Sequence, residues 1–210
     1  MNTETFYRPL NETLAAIRNK AENEGIPIIS QSTEVFLLSI LNIKKPKHIL
    51  EIGTAVGYSA ACFAEKAKDC NVISIESDER MYKRAVQNLA ELNLPERVTV
   101  IPGDAETVIA ELSPGNKFDF VFIDAAKSRY RQYFDAALKV CCGNAVIISD
   151  NVFLNGTVFE DEKNVEKRNR TSLRRMKEYL DYILSLDNAD TSIITTGDGI
   201  ALTVLTNNND

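Results

Sequence analysis

Short apolar runs alternate with amphipathic stretches through most of this chain. "HILEIG" (48–53) is an apolar run closed by glycine and reads as a strand, and "YSAACFAEKA" after it reads as a helix. The pair then recurs: "NVISIES" with "RMYKRAVQNLAEL", "RVTVIPGD" with "AETVIAEL", "FDFVFIDAA" with "RQYFDAALKV", and "NAVIISDN" as a fifth strand. Alternation of this kind predicts a parallel sheet covered by helices on both faces. Two helices precede it. Leu10, Leu14 and Ile17 repeat at helical spacing, "GIPIIS" interrupts, and "TEVFLLSILNI" resumes until Pro46. A helix through "TSLRRMKEYLDYILSL" follows the core, and then "TSIITT" and "IALTVL" flank the turn "GDG". That hairpin sets the last strand antiparallel to its neighbour. The prediction is an α/β, doubly wound fold with a seven-stranded, mostly parallel sheet and one antiparallel strand from the C-terminal hairpin. Residues 1–210 would form a single domain, with N-terminal helices in 1–45 and the core in 46–210.

Composition narrows the chemistry. The 210 residues are 44% hydrophobic and 26% charged, ordinary for a globular domain. No targeting segment and no membrane-length apolar stretch is legible, so a cytoplasmic protein with reduced thiols is expected. The four cysteines include an adjacent pair, Cys141 and Cys142, but no CxxC, which argues against a cysteine metal site. His48 is the lone histidine and falls at a strand entry, where a partly buried polar residue is expected rather than a catalytic base. Carboxylates, lysine, amides or a cofactor must therefore carry any reaction.

Ligands of open α/β sheets bind outside the carboxyl ends of the strands. Those ends read Glu51, Gly53, Gly57 and Ser59; then Glu76; then Asp104 and Ala105; then Asp124; then Asp150 and Asn151. A glycine turn lets backbone approach a ligand closely. Glu76 lies 19 residues beyond Gly57, near the spacing at which an acid holds a ribose diol. A rim this acidic suits a nucleoside without phosphates, or a cation. If the fourth and fifth strands are neighbours, Asp124 and Asp150 stand side by side with the amide oxygen of Asn151. Two carboxylates so close would keep one proton between them unless a hard divalent cation replaced it. Few ligands and spare positions suit Mg²⁺, with Mn²⁺ or Ca²⁺ as alternatives.

"LEIGTAVGYSA", "IESDE", "GDA", "FIDAAK" and "ISDNV" resemble, in order and spacing, the class I S-adenosylmethionine-dependent methyltransferases. More narrowly, they are similar to the metal-dependent O-methyltransferases of catechol and caffeoyl-CoA type. Within that family, "PKHILEIGTAVGYSA", "FIDAAK", "DNVFLNGTV" and the basic run that follows resemble the bacterial tRNA 5-hydroxyuridine methyltransferases, which make 5-methoxyuridine at the anticodon wobble position. The resemblance implies a Rossmann-like methyltransferase fold with S-adenosyl-L-methionine as methyl donor. Glu76 would hold the ribose hydroxyls, Asp104 and Ala105 would face adenine, and Gly53, Ser59 and Ile29 would line the methionine portion. Glu51 would support the turn. Asp124, Asp150 and Asn151 would hold the metal, and Lys127 would be the base near the acceptor hydroxyl. A homodimer is implied as well. Catechol methyltransferases carry a His-Trp pair where this chain has Ala125 and Ala126, and tryptophan is absent altogether. The roomier mouth disfavours a small catechol.

Net charge is −6, yet residues 163–177 hold seven Lys/Arg against one Glu, leaving −12 on the remainder. Lys163, Lys167, Arg168, Arg170, Arg174 and Arg175 are the expected contacts to RNA phosphates. A tRNA anticodon loop, whose unpaired bases enter a pocket at little cost, is the expected partner. Methylation of a small catechol-like or CoA-linked phenol is the alternative. An RNA-binding module without catalysis is disfavoured by the intact Asp124, Lys127, Asp150 and Asn151. A nicotinamide dehydrogenase is disfavoured because "GTAVGYS" lacks the G-x-G-x-x-G fingerprint.

Overall fold

The computed structural model describes residues 7–112 and 117–206. Seven strands form a mixed sheet in the order β3-β2-β1-β4-β5-β7-β6. The chain divides into two compact units, one through Val108 and the other from Ile109 onward.

The first unit holds helices α1 (Glu12–Asn23), α2 (Gln31–Lys44), α3 (Tyr58–Lys66) and α4 (Glu79–Glu91), and strands β1 (His48–Ile52), β2 (Asn71–Glu76) and β3 (Val98–Pro102). The three strands pair in parallel, with Leu50 opposite Ile73 and Val72 opposite Val98. Asn11 starts α1 by accepting the Leu14 N–H at 2.8 Å, and the helix buries Leu14, Ile17 and Ala21. Leu10, expected on the helical stripe, lies ahead of this cap and is exposed. The same face buries Arg18, only 3% exposed. Its guanidinium donates to Glu34 at 2.7 Å, to the Ile29 carbonyl at 3.0 Å and to the Tyr58 hydroxyl at 3.1 Å. Ser30 caps α2, which ends at Lys45 in the left-handed region just before Pro46. His48 opens β1 on an exposed position rather than a partly buried one.

The second unit holds strands β4 (Phe118–Ile123), β5 (Cys141–Asp150), β6 (Ala189–Ile194) and β7 (Ile200–Leu205), with helices α6 (Tyr130–Leu138) and α7 (Arg170–Leu184). Helix α5 (Ala105–Glu111) spans the division. Strands β4 and β5 are parallel, and β7 pairs antiparallel with both β5 and β6, so β7 alone is reversed, as expected. Phe118, Phe120 and Phe122 are buried along β4 and Ala145–Ile148 along β5. Helix α7 buries Leu173, Met176, Tyr179 and Ile183, a stripe at helical spacing, and packs against α6 and the 3₁₀ turn Lys127–Arg129. Strand β5 begins three residues earlier than the apolar run suggests. Two further short 3₁₀ turns, Thr157–Phe159 and Glu162–Asn164, carry no sequence signal of their own.

The turn between β6 and β7 grips the segment that follows β5. The Asp198 carboxylate accepts the Asn155 N–H at 2.8 Å, the Asp198 carbonyl accepts from Phe153, and the Gly199 carbonyl accepts from Val152. Gly199 has φ of +81°, and a Cβ there would lie 2.4 Å from the Phe153 ring, so glycine is required. All four cysteines are free; Cys62 and Cys70 are buried, Cys141 and Cys142 half-buried. Among the described residues no helix is long and apolar enough to cross a membrane.

Candidate functional site

In the first unit, the turn from β1 to α3 has Gly53, Ala55 and Gly57 at positive φ. A Cβ on Gly57 would come within 3.2 Å of the Ala85 backbone, so this glycine sets how closely the turn lies on α4. Beneath the turn, Glu51 is fully buried and accepts from the Ser74 hydroxyl, which also pairs with Thr54. Glu76 ends β2 with one carboxylate oxygen on the Ala55 N–H at 2.7 Å and the other on the Asp78 N–H at 2.8 Å. The carboxylate is thus fixed against the glycine turn, with further lone pairs available for hydroxyl donors. Ser59 stands in the first turn of α3, 7% exposed, and Ile29 is 4% exposed with its carbonyl held by Arg18. Asp104 accepts from the Glu106 N–H at 3.1 Å at the start of α5, whose first residue is Ala105. These residues fit a nucleoside-bearing ligand: a fixed carboxylate, and a turn whose positive-φ residues expose backbone.

In the second unit, Asp124 follows β4 and Asp150 ends β5, on neighbouring parallel strands as expected. Asp150 is 1% exposed; one carboxylate oxygen accepts the Asn151 N–H at 2.8 Å and the other, Oδ2, is buried without any partner. Burial pushes its carboxyl up to about 7, with the Asp124 charge as the second cause. Asn151 sits at φ of +56°, a conformation asparagine tolerates. Lys127 Nζ donates to Asp124 Oδ1 at 2.6 Å, to Asn151 Oδ1 at 2.9 Å and to the Tyr130 hydroxyl at 2.7 Å. A positive charge therefore already sits among oxygens from both strand ends. The orphaned Asp150 oxygen and the all-oxygen donor set fit a hard divalent cation.

The structure brings Asp124, Lys127, Asp150 and Asn151 together and collects Glu51, Gly53, Ser59 and Glu76 around the glycine turn. The basic stretch is less uniform than its composition suggests. Lys163 pairs with Asp161 at 3.1 Å and Arg168 with Glu166 at 2.7 Å, both exposed. Arg170 bonds the Val165 and Lys163 carbonyls, holding the loop ahead of α7. Lys167, Arg174 and Arg175 are exposed. Tyr130 escaped sequence reasoning, although its place three residues after Lys127, at a helix start, was a signal that the two side chains meet.

Residues 6–205 match the family described as O-methyltransferase. The chain belongs to that family. A catechol O-methyltransferase of Niastella koreensis is 32% identical over 161 residues, 74% of this chain and 72% of the relative. Among solved structures, the O-methyltransferase of Bacillus cereus in complex with SAH has a TM-score of 0.83 at 27% identity, covering 94% of this O-methyltransferase and 92% of the other chain. The O-methyltransferase TomG of Streptomyces achromogenes, in complex with SAM, has a TM-score of 0.83 at 26% identity, with coverages of 95% and 92%.

Proposed function

We propose that this O-methyltransferase moves the methyl group of S-adenosylmethionine to the 5-hydroxyl of 5-hydroxyuridine at the tRNA wobble position, with a divalent ion, Mg²⁺ by its donor set, held by Asp124, Asp150 and Asn151. The observation that carries the acceptor is the position of the basic stretch: α7, with exposed Arg174 and Arg175, packs against the very turn that bears Lys127. When bound, the ion supplies charge that acidifies a hydroxyl flanked by a second oxygen, and the sulfonium donor supplies the methyl. Glu76 holds the donor's ribose hydroxyls with a carboxylate already anchored on two backbone N–H groups. The Gly53–Gly57 turn, Ser59 and Ile29 enclose its methionine end, and Asp104 and Ala105 flank its base. Lys127 Nζ, once it has released its ammonium proton to solvent, takes the acceptor's hydroxyl proton. Lys167, Arg174 and Arg175 hold phosphates of the anticodon stem-loop, which orients the unpaired base.

Nucleoside mass spectrometry tests this reading. Purified protein with S-adenosylmethionine and Mg²⁺ should convert 5-hydroxyuridine to 5-methoxyuridine in tRNA taken from cells lacking the gene. Turnover of catechol or caffeoyl-CoA with tRNA untouched would defeat the RNA assignment and leave the methyl-transfer chemistry standing. That second reading, a small phenolic acceptor, is favoured by the named activity of the Niastella koreensis relative. It is favoured also by the pairing of Lys163 and Arg168 with neighbouring acids, which lowers the net charge offered to phosphates.

A further inference from the structure

An ammonium has three donors, and those of Lys127 are all spent: on Asp124 Oδ1, Asn151 Oδ1 and the Tyr130 hydroxyl. Two of these acceptors are oxygens that the proposed function assigns to the divalent ion. Lys127 and the ion therefore compete for the same seats, and both cannot hold them at full strength. Tyr130 is the acceptor the ion does not need. Its ring is 1% exposed and meets Tyr179 edge-on at 5.7 Å, and the Tyr179 hydroxyl is tied to Ser149 at 2.6 Å. Its hydroxyl donates to the Asp150 carbonyl at 2.8 Å. The phenol proton is thus committed to the backbone of one ion-holding residue, and an oxygen lone pair is left facing Lys127.

We propose that Tyr130 is a positioning residue: it is the fixed seat onto which Lys127 withdraws when a divalent ion takes Asp124 and Asn151. Because the hydroxyl is anchored at Asp150, the withdrawn ammonium stays at the edge of the ion site. Without Tyr130, Lys127 has only the two contested oxygens and holds them against the ion. The inference rests on the ion assignment made under the proposed function.

Mn²⁺ affinity of the cofactor-free protein tests it, read by the loss of free-ion electron paramagnetic resonance signal. Four proteins are compared: wild type, Lys127→Met, Tyr130→Phe and the double variant, each checked for folding by near-ultraviolet circular dichroism. Lys127→Met should bind Mn²⁺ about tenfold more tightly than wild type, since an internal competitor is gone. Tyr130→Phe should bind it about five- to tenfold more weakly, and the double variant should match Lys127→Met within twofold. Equal weakening by Tyr130→Phe in both backgrounds would make the tyrosine a structural prop and overturn the proposal. So would unchanged affinity in Tyr130→Phe. If Tyr130→Phe does not fold, the Lys127→Met comparison decides: no gain in affinity removes the competition on which the seat depends. Failure of all four proteins to bind Mn²⁺ would overturn the ion assignment itself and this inference with it, an outcome separate from the other two.

Discussion

Asp150→Asn should stabilise the ion-free protein at alkaline pH. The wild-type carboxyl is 1% exposed, has one oxygen without a partner, and ionises at about 7 rather than the usual 3.8. Between those two pH values the folded protein carries a proton that the unfolded chain has lost, so stability falls as pH rises through that window. Above pH 7 the full cost of the buried charge is present, about 4 kcal/mol at most. Asparagine removes the charge and keeps an oxygen for the Asn151 N–H. Its amide N–H₂ inherits the unpartnered position, at a cost of about 1–3 kcal/mol. The balance is a gain of about 1–3 kcal/mol at pH 8. At roughly 2–4 °C per kcal/mol for a protein of this size, thermal melts in chelator should rise by several degrees. At pH 4 the gain should give way to the amide's own cost of about 1–3 kcal/mol, because the wild-type carboxyl is then neutral in the folded protein. An Asp150→Asn protein that is no more stable than wild type at pH 8, or whose advantage is the same at pH 4 and pH 8, would refute the reasoning. Added Mg²⁺ should raise the melting temperature of the wild type, and the same substitution should abolish that rise.

Arg18→Ala should cost about 3–5 kcal/mol in urea unfolding, since it leaves Glu34 charged and buried; Arg18→Met with Glu34→Leu should recover most of that loss. Gly57→Ala combines a positive φ with a close backbone neighbour in Ala85, so it should destabilise by about 1–3 kcal/mol and weaken S-adenosylmethionine binding by calorimetry. Glu76→Ala should lower the affinity for S-adenosylmethionine about 10–100-fold, the worth of hydrogen bonds to a charged acceptor, with the ion affinity unchanged.

The strands and helices were legible because their apolar residues repeat at unmistakable periods, and the acids at strand ends because strand ends are where an open sheet exposes side chains. Asp124 and Asp150 needed one assumption, that β4 and β5 are neighbours, and the pairing of Phe122 with Ile148 meets it. What stayed hidden were partnerships across sequence distance. Arg18 sits on an apolar stripe with Leu14, Ile17 and Ala21, and nothing local marks it as buried; its charge is tolerated because Glu34 and Tyr58 arrive from other helices. The basic stretch read as one surface, yet Arg170 turns inward to backbone carbonyls, a choice set by the folding of the loop ahead of α7. Leu10 fits the helical period, but the Asn11 cap starts the helix at Glu12, two residues too late to include it.

The grip of the Asp198–Gly199 turn on residues 152–155 has a consequence for the order of folding. Strand β7 lies between β5 and β6, so β6 has no berth in the sheet until β7 has paired with β5. A chain in which β7 has not yet paired would carry Asp124, Asp150 and Asn151 yet lack the β5 partner that sets the Asp198–Gly199 turn against residues 152–155. Pairing of β7 therefore joins two things at once, closing the sheet edge on β5 and fixing the backbone that leaves Asp150.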